Sequence, residues 1–464
     1  MSSMHKTRSD QLFEHAQKFA TPFRTSLGYP WALVPDGPDR YRGFAVASHG
    51  FRHWLKQSYH TEHFIYPSPS TIENAVRMFD AHAQQTDMPE GEVFTRLGWR
   101  GDRSVPQAVL LHLANLRNEL IEITPNGHRI VSADGWRFLT NTSTAPLARP
   151  IDNGLTLRDH LRRLLNLEGA ALDRIIIWLF STLRPSPPYP MLVVGGPAGS
   201  GKTMLLHMLR FLIDPCIVPV QEPPATDRIL FSQALHNHVV AYDEAQPLSQ
   251  SVIDSLMRLA SGTGIGVEGD SCEPLSLGRP VLMTAPSLGE AWMENAICIE
   301  LPARKEERAY SQTTLAQKYR EIAPAILGTL CDAVTSALSS AAVTLPPPIP
   351  RFAGAYRWSM DAAPILGLTR EQIACALAGN HLVDALMVLL QSQPEWTGTL
   401  SDLATKLEDL GFHACATDPQ SLSDQLASLD PSTFGIAIER RNDRILHLTK
   451  KTIARIRRGG FRFR

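Results

Sequence analysis

Eight residues, Gly196-Pro197-Ala198-Gly199-Ser200-Gly201-Lys202-Thr203, constrain this chain more tightly than any other stretch. They follow an apolar run, Met191-Leu192-Val193-Val194, and lead into Met204-Leu205-Leu206-His207-Met208-Leu209-Arg210, whose apolar spacing is helical. Strand, glycine-rich loop and helix opening form the context that a phosphate loop of the form G-x-x-x-x-G-K-[ST] requires. Glycines let successive backbone N–H groups turn inward around a phosphate. The helix N-terminus adds partial positive charge. Lys202 is expected to reach the β- and γ-phosphates of ATP, and the Thr203 hydroxyl to hold Mg²⁺. Gly196 to Thr203 are therefore the expected nucleotide-binding residues.

Such a site needs a second half, an acid at the end of a buried strand. Val239-Val240-Ala241-Tyr242-Asp243-Glu244 supplies one about 40 residues after Lys202. Asp243 is expected to assist the metal and Glu244 to polarise an attacking water. Thr284 ends the next apolar strand, Val281-Leu282-Met283-Thr284, and is read either as a sensor of water or γ-phosphate or as a satisfied strand-end hydroxyl. Arg351 and Arg357 follow the helical region beyond and could reach nucleotide phosphates, since guanidinium suits that role. Packing beside Trp358 is the competing reading. A glycine-rich loop, Arg258-Leu259-Ala260-Ser261-Gly262-Thr263-Gly264-Ile265-Gly266, could form a second nucleotide contact or a mobile pore loop, on weak evidence.

Length and charge bound the rest. At 464 residues the chain is long enough for about three domains. A composition of 44% hydrophobic and 20% charged residues is that of a globular protein with a sizeable core. The formal net charge of −1 argues neither for nor against nucleic acid, but basic residues crowd the end from Arg440 onward. Six scattered cysteines without a C-x-x-C fit a reducing compartment and no zinc site. No signal-peptide core and no uninterrupted apolar run of about 20 residues are present, so a cytoplasmic protein without a membrane partner is expected.

The elements divide the chain as follows. Residues 1–150 read as a mixed α+β domain with no legible chemistry. A helix capped by Ser70 and a small antiparallel sheet around Val93–Leu97, Leu120–Thr124 and Arg129–Val131 are expected there. Residues 151–345 read as an α/β core with a parallel sheet and the start of a helical lid, including strands at Cys216–Val220 and Ala296–Leu301. Separate helices are expected at Gln317–Glu321 and Ala323–Ser340. Residues 346–395 continue the lid, 396–448 have the layout of a winged helix, and 449–464 form a basic tail. Phe461 and Phe463 in that tail could stack on bases.

Taken in order, the phosphate loop, the Tyr-Asp-Glu strand, Arg258-Leu259-Ala260-Ser261-Gly262, Arg279-Pro280-Val281-Leu282-Met283-Thr284 and Ile299-Glu300-Leu301-Pro302-Ala303-Arg304 form a recognisable series. It resembles the AAA+ ATPases carried by phages, phage satellites and integrated bacterial elements, related to superfamily 3 and MCM-like replicative helicases. The likeness runs from about Phe51 to Leu448. It implies a ring, usually a hexamer, with ATP between subunits, DNA in the pore and a C-terminal winged helix on DNA. Three positions depart from the pattern. Glu244 stands where relatives commonly have Asn, Thr284 where they carry Asn, and Asn295 where an arginine would act on a neighbour's ATP. Arg279 or Arg304 could substitute for that arginine. The implied activity is an ATP-driven DNA translocase, and the alternative is a nucleotide-switched DNA-binding adaptor.

Overall fold

In the computed structural model the described residues are 6–25, 29–35, 41–85, 88–89, 91–140, 143–152, 154–165, 167–243, 248–263, 277–286, 288, 292, 296–303, 312–339, 352–378, 382, 385–386, 389–390, 393–409, 422–423, 426, 436–441 and 445–450. The amino-terminal part packs α1 (Arg8–Phe19), α2 (His49–His63) and α3 (Pro69–Ala83) on an antiparallel sheet of β1 (Thr21–Arg24), β2 (Pro30–Pro35) and β3 (Tyr41–Ala45). Its core, with Leu12, Phe51, Leu55, Val76 and Phe79 at its centre, belongs to this unit alone. Ser68, not Ser70, caps α3: its hydroxyl accepts from the Thr71 N–H, which puts Pro69 at the first helical position, where a missing N–H costs nothing.

A four-stranded meander follows, β4 (Leu97–Gly101), β5 (Pro106–His112), β6 (Glu119–Thr124) and β7 (Gly127–Ser132), in that spatial order. Alternation sends Val109, Leu111, Ile121 and Ile123 to one face and Leu110 and Leu120 to the other. The first set joins the large central core. Residues 93–96 form no strand of their own, only isolated bridges from Phe94 to Phe138 and from Thr95 to Leu97.

The central sheet is parallel, built from β8 (Met191–Gly195), β9 (Val240–Tyr242), β10 (Val281–Thr284) and β11 (Ala296–Glu300) in the order β11-β8-β10-β9. All four read as continuous apolar runs because both faces are covered. Leu192, Val194, Ala241, Leu282 and Ile297 enter one core layer. Met191, Val193, Val240, Tyr242, Val281 and Met283 enter the other. Around the sheet lie α4 (Leu157–Leu165), α5 (Gly169–Ser181), α6 (Lys202–Ile213), α7 (Asp227–His236) and α8 (Gln250–Ser261). The expected strand at Cys216–Val220 is absent. Pro219 lacks an N–H, Ile217 and Val218 face solvent, and pairing is reduced to isolated bridges at the two ends, Cys216 antiparallel to Thr144 and Gln221 parallel to Tyr242.

One helix, α9 (Gln312–Leu338), replaces the two expected around Pro324. Its stretch 317–338 is long and apolar enough to cross a membrane by composition alone. Here Ile326, Leu327, Leu330 and Val334 are buried in the core against the meander, as in a core helix. Beyond it come α10 (Ala353–Met360), α11 (Ala363–Leu366) and α12 (Arg370–Ala378). The C-terminal part joins β12 (Glu395–Gly398), α13 (Leu400–Asp409), β13 (Ile436–Arg441) and β14 (Ile445–Lys450), with sheet order β12-β14-β13. β12 was not expected. The second helix expected at Ser421–Leu429 and the tail 451–464 lie outside the described residues, apart from a few positions of the former.

Candidate active site

Parallel register aligns the carboxyl ends of the strands. Thr284 lies level with Val194, and Met283 with Tyr242, so Thr284 and Asp243 leave the sheet side by side, next to the strand that feeds the loop. The loop itself turns through left-handed backbone at Gly196, Gly199 and Gly201. At Gly196 (φ +130°) a Cβ would stand 2.5 Å from the Leu301 carbonyl oxygen, so no other residue fits there without displacing backbone.

The side chains converge on Asp243. Thr203 donates its hydroxyl to Oδ2 at 2.8 Å, and Thr284 donates to Oδ1 at 2.6 Å. The two threonines arrive from the first turn of α6 and the end of β10, 81 residues apart in sequence by their numbers, and hold both oxygens of one carboxylate. Thr284 is fully buried. Its hydroxyl is therefore an orienting contact on the acid, whichever of the two expected roles it also serves. Lys202 lies folded over the loop, its ammonium donating to the Gly196 carbonyl at 2.6 Å and the Pro197 carbonyl at 3.0 Å. The start of α6 has no side-chain cap, which leaves its N–H groups to an outside acceptor. Ser200 Oγ is buried with no hydrogen-bond partner among the described residues. His207, one turn along α6 from Thr203, is held below the usual imidazole range by burial, with Asp243 pulling the other way.

A buried ion pair braces this arrangement from behind, and no sequence pattern announced it. Arg96 donates through Nε to Asp214 Oδ1 at 3.0 Å, and both are nearly inaccessible. Asp214 caps the far end of α6 and accepts from the His238 and Val239 N–H groups at 2.8 and 3.1 Å, at the start of the acidic strand. Burial alone would raise the Asp214 carboxyl. Arg96, Arg210 and His238 outweigh it and hold the group below the carboxylate range. Arg96 also donates to the carbonyls of His112, Ala145 and Pro215, from a left-handed backbone (φ +60°). His238 itself packs inside, its Nε2 2.7 Å from the Thr182 carbonyl.

Other expected residues are not brought together. Arg357 is exposed on α10, which packs on α5 and α12, and no contact among the described residues joins it to the loop. Its neighbour Trp358 stacks on Phe180. Arg279 is spent inside the chain, on the Ala234 and Gly278 carbonyls and the Thr95 hydroxyl, which leaves it no reach toward a neighbour. Glu244, Arg351, Asn295, Arg304 and residues 264–266 lie outside the described residues. Two further groupings could hold a cation by ligand type, His15/Glu62/His63 and His128/Asp152/Asp332. In the first, Glu62 is already engaged by His15 and Lys18.

Residues 158–362, which contain the loop, Asp243 and Thr284 but not Arg96, match the family model described as the Actinomycete integrative conjugative element replication protein. The similarity is to a replication protein. It spans less than half of the chain. A search of curated proteins gave no match. Among solved structures, two apo structures of the NrS-1 C-terminal region align at 10% identity. One covers 97% of this chain and 100% of that one with a TM-score of 0.38. The other covers 96% and 100% with a TM-score of 0.35. A candidate ATPase from Cytophaga hutchinsonii aligns over 47% of this chain and 84% of its own at 12% identity and a TM-score of 0.28. Likeness at these scores carries no argument about activity.

Proposed function

We propose that this chain is an ATP-hydrolysing AAA+ enzyme that moves along DNA, a replicative helicase of a mobile genetic element working in the cytoplasm as a homo-oligomeric ring. One observation carries the catalytic half of that reading. Thr203 and Thr284 hold the two oxygens of Asp243 beside the loop that ends at Lys202. The replication-protein match supports the DNA half.

The residues fit a magnesium nucleotide. The loop has left-handed glycines, an uncapped helix start and an orphaned Ser200 hydroxyl, all of which accommodate phosphate oxygens. Thr203 and Asp243 are the residues that would hold Mg²⁺, and they already share a hydrogen bond. When bound, Mg²⁺ supplies Lewis-acid polarisation of phosphoryl oxygens. Lys202 brings a cation to the phosphates in place of its two carbonyl partners. Thr284 keeps the Asp243 carboxylate in one orientation. Glu244, the next residue in sequence, serves as the base that orients water and takes its proton. Residues 396–448 are read as a winged helix and 449–464 as a basic arm on DNA, and the hexamer follows from the family resemblance.

A second reading has a specific observation behind it. Arg279 is tied down within its own chain, so one of two substitutes for a trans-acting arginine is lost. A nucleotide-switched adaptor, such as a helicase loader, needs no such residue. Strand displacement on forked DNA with ATP separates the two. Wild type should unwind and Glu244→Gln should bind ATP without turnover. Hydrolysis that DNA does not stimulate, with no unwinding, selects the adaptor.

A further inference from the structure

Helix α2 carries a stripe for which no other helix or strand provides a hydrogen bond, ion pair or ring contact among the described residues. His49, His53, Lys56 and His60 recur at i, i+4, i+7 and i+11, which places them on one face, and Phe64 continues it. The opposite face buries Phe51 and Leu55. The rings pair along the stripe. His49 and His53 lie 6.4 Å apart at 16°. His60 and Tyr66 stack at 3.9 Å and 8°, and the Lys56 ammonium lies 5.3 Å from the Tyr66 ring centre. The helix has one acid, Glu62, which faces α1 and is held there by His15 and Lys18.

Just past the helix three large side chains in a row face solvent: Phe64 at 83% exposure, Ile65 at 60% and Tyr66 at 55%. Phe64 is also in left-handed backbone (φ 57°, ψ 23°), a conformation that suits glycine at a helix end and strains a phenylalanine. Burial does not explain that choice, since the ring buries almost nothing. Strain held for an exposed ring points to a use for the ring.

We infer that this stripe is a binding site for single-stranded DNA in the amino-terminal unit, separate from the nucleotide loop and from the C-terminal arm. Phe64 and the His60–Tyr66 stack offer flat faces on which unpaired bases can lie, and Lys56 with the imidazole row offers donors to the phosphate backbone. Aromatic platforms beside cations are what unpaired strands of any sequence recognise. The absence of a free carboxylate on this face of α2 makes it complementary to a polyanion. The inference rests on the DNA-acting reading but not on ATP hydrolysis.

The test uses the full chain and a fluorescently labelled oligothymidylate, with anisotropy read across a salt series without nucleotide. Phe64→Ala with Tyr66→Ala should weaken binding by roughly tenfold or more, from the usual worth of base stacking. Lys56→Gln should lower the log–log salt slope by about 0.7, the value for one phosphate contact on a single strand. Phe64→Gly should raise the thermal midpoint by relieving the left-handed strain, yet weaken binding, a combination that a structural role cannot produce. Unchanged affinity in these variants overturns the inference, as does a change confined to self-association. Wild type that binds no DNA at all sinks this site together with the DNA-acting reading, whereas intact binding in the variants sinks this site alone.

Discussion

Asp243 accepts from two hydroxyls, so the threonines can be separated by substitution. Thr284→Val keeps the shape and volume close while removing the donor to Oδ1. The expected outcome is a loss of turnover with raised Mg²⁺ requirement and little change in nucleotide affinity, checked by titrating Mg²⁺ in an ATPase assay; Thr284→Ser should restore most of it. On the proposed reading, Lys202→Ala removes a charged partner of the phosphates and should cost about 2–5 kcal/mol of nucleotide affinity, read by titration of a fluorescent ATP analogue. Arg96→Leu belongs to a different class. It leaves the buried Asp214 carboxylate without its salt-bridge partner, with Arg210 still nearby, a loss of about 3–5 kcal/mol in stability by denaturant midpoint. The loop, Asp243 and Thr284 were legible in the sequence because each ends or follows a short apolar run. Arg96 and Asp214 were not, since they stand 118 positions apart and neither sits in a motif.

Elements were legible where local chemistry and burial agree. β8, β9, β10 and β11 are continuous apolar runs flanked by turns, and a fully covered parallel sheet leaves no other pattern. β1 and β2 were missed because Pro22, Pro30 and Pro35 demote a strand reading, and these short strands tolerate proline at their ends. Two helices were expected, Gln317–Glu321 and Ala323–Ser340, yet α9 runs from one into the other past Pro324 without interruption. There the segment before α4 lies along the helix, with the Ile151 N–H donating to the Pro324 carbonyl and the Ile151 backbone against Gly328. The sheets also set an acid limit. Burial holds His238, at the entry to β9, at about 4, and His112, at the end of β5, at about 3. Both are neutral in the fold and would gain protons on unfolding below about 6.5, the free imidazole value. Their contribution is complete above pH 6.5 and drains away as pH falls toward 4. Thermal midpoints should drop across that window, and His238→Gln should flatten the slope.

For the molecule as a whole, ring assembly is the property that separates a motor from a switch. Mass photometry with ATP and single-stranded DNA should show a species several protomers in mass that Lys202→Ala fails to form. A chain that stays monomeric under those conditions removes the ring. The joint between the two halves of the chain has its own consequence. Residues 143–151, which run across the boundary expected at 150, are tied down at Ser143 to Ile217, Ala145 to Pro215, Leu147 to Leu113 and Ile151 to Pro324. Arg96 reaches across the same joint to Asp214. An expression fragment trimmed to begin after Pro150 would strip the guanidinium from that acid and uncover α9 where the meander had lain. Such a piece should come out of the cell insoluble. Isolating the part that carries the glycine-rich loop will require keeping the upstream residues that brace it.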